Sequence, residues 1–74
     1  MMTDNATKLD TSAVYQLMKT RLAEEPTAFI LREREAGRSY RLIAVRMAEK
    51  SGMDITQTAV RRWHQWWLEL NPTP

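Results

Sequence analysis

The sequence has no cysteine, and only two glycines, three prolines and one histidine among its 74 residues. Without thiols it has neither a disulfide framework nor a thiolate zinc site. Zinc-finger readings are therefore excluded, and stability must come from apolar packing or from association with another copy. With only Gly37 and Gly52 available, there is no glycine-rich phosphate loop. His64 has no second histidine and no Ser–Asp arrangement that would make it a catalytic base. The Glu24–Glu25 and Glu33–Glu35 pairs read as helix-start and surface charges rather than acid–base dyads. The chain is not expected to be an enzyme, and no cofactor or metal is implied. Long apolar runs are also missing, since none approaches the roughly 20 residues that span a bilayer. The first residues lack a basic region followed by an apolar one, so a cytoplasmic protein with no membrane partner is expected.

What remains is a short, mixed-charge chain rich in large side chains. Its length suits one domain with a small core. Three tryptophans, Trp63, Trp66 and Trp67, lie close together near the C-terminus and are expected to anchor that core. The net charge is only +2, but it is uneven. Five basic and six acidic residues in 1–37 give −1, whereas Arg38, Arg41, Arg46, Lys50, Arg61 and Arg62 against Glu49 and Asp54 give +4 over 38–67. A concentration of positive charge of this kind suits contact with phosphate, although a solvated helical face gives the same count.

Apolar periodicity and turn residues predict a small all-α bundle of about four helices. Residues 1–10 are polar and without period, and are expected to be flexible; residues 11–71 form the single domain. Asp10, Thr11 or Ser12 can cap a first helix with Val14, Leu17, Met18 and Leu22 on its apolar side. Pro26 suits the first position of a second helix running to about Ala36. Phe29, Ile30 and Leu31 are expected to face inward there, Arg32, Glu33, Arg34 and Glu35 make an exposed surface, and Gly37 ends the helix. Ser39 caps a third helix whose apolar set is Leu42, Ile43, Met47 and Tyr40, with Ala44 and Ala48 beside it, and Gly52 closes it. Thr56 caps a fourth helix over Gln57–Leu70. Ile55 and Val60 are placed as a hydrophobic staple there, and Asn71-Pro72 stops the helix. On this last helix Val60, Trp63 and Trp67 share the core side, with Ala59, Trp66 and Leu70 flanking. Gln57, Thr58, Arg61, Arg62 and Gln65 occupy the opposite face.

Three stretches carry a family resemblance: Gly37-Arg-Ser-Tyr-Arg-Leu-Ile-Ala44, Lys50-Ser-Gly-Met-Asp-Ile-Thr56 and Thr58-Ala-Val-Arg-Arg-Trp63. Over residues 37–67 the chain resembles the helix-turn-helix domains of small bacteriophage and bacterial DNA-binding proteins and transposase-like regulators. The motif is placed at 39–70, with an extended turn around Gly52–Ile55. The resemblance implies that Thr56, Gln57, Thr58, Arg61, Arg62 and Gln65 face the major groove, while Ser39, Tyr40 and Arg41 approach the backbone.

The chemistry of these residues suits those roles. Free amides at a helix N-terminus favour a phosphate near Thr56 and Thr58, though a threonine there is also an ordinary cap. Gln57 can read adenine and Arg61 guanine through paired hydrogen bonds. Arg38, Arg41 and Arg46 are candidates for phosphate contacts that set orientation without reading sequence. The expected function is sequence-specific binding of double-stranded DNA. The protein would act in a bacterial cell as a phage-type regulator or as a recombination or excision accessory factor. One module offers a small footprint, so a homodimer or a partner protein is expected to assist. The rival is a protein-binding module of the same fold that docks on a host protein such as a polymerase subunit, with an exposed Trp66 as its mark.

Overall fold

The computed structural model describes residues 13–71. They form four helices: α1 (Ala13–Leu22), α2 (Pro26–Glu35), α3 (Tyr40–Ser51) and α4 (Gln57–Leu70). There is no strand among the described residues, so the chain is a small all-α bundle. No described helix is long and apolar enough to cross a membrane. The expected flexible segment 1–10, the cap at Asp10, Thr11 or Ser12 and the stop at Pro72 lie outside the described residues.

Local chemistry sets the helix boundaries. Pro26 occupies the first turn of α2, where a missing N–H costs nothing. The Ser39 hydroxyl accepts from the Leu42 N–H at 3.1 Å, and the Thr56 hydroxyl accepts from the Ala59 N–H at the same distance. Each cap satisfies one of the amides that a helix start leaves without an internal partner. Gly37 (φ 86°) and Gly52 (φ 74°) take the left-handed conformation just past α2 and α3, which glycine adopts without steric cost. At the end of α4, the Asn71 backbone N–H and side-chain amide both donate to the Trp67 carbonyl.

The helices bury one contiguous core. α4 packs against α2 and α3, and so does α1, which also reaches α4 through the Tyr15 ring. Tyr15, Met18, Ile30, Ile43, Met47, Val60 and Trp63 are all at most 3% exposed. Tyr15 stands edge-on to Trp63, with ring centroids 5.1 Å apart, and to Trp66 at 5.9 Å. Its hydroxyl donates to Glu25 Oε1 at 2.8 Å, and Lys19 binds the other oxygen of that carboxylate, which pins the α1–α2 connection. Burial pushes the Tyr15 phenol up to about 12, so it remains a hydrogen-bond donor.

Four expectations about facing need correction. On α1 the buried set is Tyr15, Met18 and Leu22, while Val14 and Leu17 are exposed. The tyrosine ring outweighs two smaller aliphatic side chains on the competing stripe because it fills the space between α1 and the tryptophans. Leu42 on α3 is exposed, since Ile43 and Met47 already face inward and Leu42 lies about 100° round the helix from Ile43. On α4 the roles of two rings are exchanged: Trp66, expected to flank, is buried, with no hydrogen-bond partner for its Nε1 among the described residues, and Trp67, expected on the core side, is only half-buried. Glu33, expected on the surface, is buried against α3 because Arg46 and Arg38 neutralise it there.

Candidate nucleic-acid interface

α4 gives the molecule a divided surface. At about 100° per residue, Val60, Trp63, Trp66 and Trp67 take the inner side, and Gln57, Thr58, Arg61, Arg62 and Gln65 take the outer. All five outer residues are exposed, as is the capping Thr56. Arg61 and Arg62 make no ion pair with a carboxylate among the described residues. Arg61 lies toward the α3 side of this face and Arg62 toward the far side, with Thr58 and Gln65 between them. Glu69 is also exposed on this face, near its C-terminal end.

α3 borders the α4 face. A shallow groove between the two helices has Ala44, Val45 and Ala48 along α3, and Thr56 and Gln57 at the start of α4. Arg41 sits toward the beginning of α3, and Glu49 and Asp54 toward the α3–α4 loop. Positive charge therefore concentrates at one end of the groove and fades at the other. Ser39 is exposed and occupied as a cap, while Tyr40 is half-buried against the core cluster.

Arg46 goes elsewhere. Its Nε lies 2.5 Å from Glu33 Oε1 and its Nη2 3.3 Å from Oε2, on the α2 side of α3. Arg41 and Arg46 are five positions apart, which turns them about 140° from one another round the helix. The structure thus brings Arg41, Thr56, Gln57, Thr58, Arg61, Arg62 and Gln65 along one side and leaves Arg46 off it. Arg38, another phosphate candidate, lies 3.4 Å from the same buried Glu33 carboxylate.

His64 and Arg34, neither of them among the expected contacts, meet Tyr40 at the start of α3. The Tyr40 hydroxyl lies 2.6 Å from His64 Nδ1. Arg34 of α2 places its guanidinium carbon 4.6 Å from the centroid of the Tyr40 ring, and Arg61 does so at 5.6 Å. Burial, with Arg34 nearby, holds the His64 imidazole below its ordinary range and therefore neutral near pH 7. A neutral imidazole with its proton on Nε2 can accept a hydrogen bond from the phenol at Nδ1. The signal that points to Arg34 is the short turn through Gly37, which folds the last turn of α2 back against the first residue of α3. Among the described residues, no group of three or more histidine or carboxylate side chains is placed to hold a metal ion.

No protein-family model matches this chain, and neither a curated protein nor a solved structure is detectably similar to it.

Proposed function

We propose that the chain binds double-stranded DNA as a helix-turn-helix, with α4 entering the major groove and α3 lying against the backbone. The observation that carries this reading is the outer face of α4. It is a polar row from Gln57 to Gln65, begun at a capped helix start, that includes two arginines with no carboxylate partner among the described residues; the exposed Leu68 and Glu69 follow it. Side chains of this kind match what base edges offer: an amide pairs with adenine and a guanidinium with guanine. On this reading Gln57, Thr58, Arg62 and Gln65 meet bases, Arg41 meets a phosphate, and Thr56 presents the helix start to the backbone. The biological role follows the resemblance: a phage-type transcriptional regulator or recombination accessory factor working in a bacterial cell. The exposed Val14 and Leu17 of α1 are candidate contacts for a homodimer or a second protein.

A docking module for a host protein, such as a polymerase subunit, is the second reading. It draws on Leu42 and Val45, which are 44% and 48% exposed beside Arg41. It loses its chief anchor, because Trp66 is buried.

Selection of bound sequences from a random duplex library separates the two readings. The selected duplex and a scrambled one are then titrated at two salt concentrations. A shared motif, with strong preference over the scrambled duplex, is the expected result. No enrichment, with weak binding that disappears as salt rises, would overturn DNA recognition and favour the protein partner.

A further inference from the structure

The cluster at the start of α3 has a composition that calls for an anion. Arg34 and Arg61 come from different helices, yet both approach the ring of Tyr40, at 4.6 and 5.6 Å. Neither forms an ion pair with a carboxylate among the described residues. Of the two acids that flank Arg34 in sequence, Glu33 is turned inward and held by Arg46 and Arg38, and Glu35 is exposed and forms no ion pair among the described residues. Attraction to the ring face offsets part of the repulsion between two such cations, but leaves both charges uncompensated. The arrangement is also held in place. Arg34 Nη1 donates to the Arg38 carbonyl at 2.8 Å, and Tyr40 is fixed by its contact with His64. One of the five donors of Arg34 is thereby used, and the others are available to an oxyanion.

We propose that Arg34 and Arg61, positioned around Tyr40, form a seat for one phosphodiester of the bound duplex, beside the base-reading face of α4. This proposal rests on the DNA-binding reading above. A phosphodiester is favoured over other oxyanions by continuity. Arg61 belongs both to this cluster and to the outer face of α4, so a duplex lying along that face passes the seat. The planar forks of guanidinium groups suit phosphate oxygens. Arg34 is then a contact from outside the two helices of the motif. It sets orientation and contributes affinity without reading sequence.

The test is Arg34→Gln in the full chain, titrated with the selected and the scrambled duplex over a range of salt. The plot of log affinity against log salt should become shallower by about one, the contribution of a single phosphate contact. Affinity should fall by the same factor on both duplexes, so that the preference between them is unchanged. Arg34→Lys should restore most of the slope because it keeps the charge. Unaltered thermal melting of Arg34→Gln, an exposed site, would separate this loss from unfolding. An unchanged slope in a wild type that does prefer its selected duplex would overturn the phosphate seat and leave the DNA-binding reading standing. A change in sequence preference would also overturn it, by making Arg34 a reader of bases. A wild type that binds no duplex would overturn both.

Discussion

Glu33 of α2 is only 5% exposed, and its carboxylate lies 2.5 Å from the Arg46 guanidinium of α3. A buried carboxylate without a donor is expensive, so this pair decides how α2 and α3 meet. Arg46→Ala leaves Glu33 with Arg38 at 3.4 Å as its remaining cation. The loss should be about 1–3 kcal/mol in urea unfolding, at the modest end for a buried charge because Arg46 is itself half exposed. Once corrected for stability, the same variant should leave the salt dependence of duplex binding unchanged. A shallower salt dependence would return Arg46 to the phosphate contacts.

The burial of His64 makes stability sensitive to pH in a defined window. Burial, aided by Arg34, keeps the folded His64 below the ordinary value of 6.5. The unfolded chain therefore binds the proton more readily, so stability is fully present above about 6.5 and falls as pH drops through that value toward the folded one. Glu24 and Glu25 are held below 4.5 by Arg32 and Lys19 respectively, so their contribution is present above about 4.5 and is lost only at lower pH. Thermal melting of the wild type should fall between pH 7 and 5.5, and His64→Gln should flatten that fall. Equal slopes in the two proteins would assign the sensitivity to another group.

Trp63, 3% exposed and edge-on to Tyr15, is the aromatic centre of the core. Trp63→Ala should cost roughly 3–5 kcal/mol, the usual range for removing a buried large ring. Tyr15→Phe keeps the ring and loses the hydroxyl contacts with Glu25 and Thr27, so it should cost about 0.5–1.5 kcal/mol. Urea titration of both variants checks the order. A Tyr15→Phe loss as large as that of Trp63→Ala would mean that the α1–α2 connection, rather than ring packing, holds α1 in place.

These residues also mark where sequence reasoning succeeded and where it failed. The caps at Ser39 and Thr56, the turns at Gly37 and Gly52 and the start at Pro26 were legible because each depends on a few neighbouring residues. The polar side of α4 was legible because Gln57, Thr58, Arg61, Arg62 and Gln65 share one side at helical spacing, but the order of burial among Trp63, Trp66 and Trp67 was not, since it depends on where Tyr15 packs. On α1 the expected stripe of Val14, Leu17, Met18 and Leu22 and the observed one of Tyr15, Met18 and Leu22 both satisfy helical spacing, and only the position of Trp63 chooses between Tyr15 and the pair Val14 and Leu17. Glu33 looked external because charged residues usually are. Its burial depends on Arg46, 13 residues away and on another helix. The seat around Tyr40 was hidden for the same reason, since Arg34, Tyr40 and Arg61 belong to three different helices.

The adjacent arginines of α4 should separate into two roles. Consecutive residues on a helix point about 100° apart, and here the direction toward α3 belongs to Arg61, whose guanidinium lies 5.6 Å from the Tyr40 ring. Arg62 points to the far side of the outer face, with no ring contact or ion pair among the described residues. The sequence alone favoured Arg61 as the reader of guanine, but the structure engages it beside Arg34 and leaves Arg62 unoccupied. Arg62→Ala should therefore lose about 1–3 kcal/mol of specific binding and relax preference at one base pair. Arg61→Ala should weaken selected and scrambled duplexes by the same factor and make the salt dependence shallower by about one. Binding-site selection repeated with each variant gives the answer directly. If Arg61→Ala relaxes one position of the motif while Arg62→Ala lowers affinity uniformly, the roles are reversed, and α4 must be rotated in the groove to bring Arg61 to the bases.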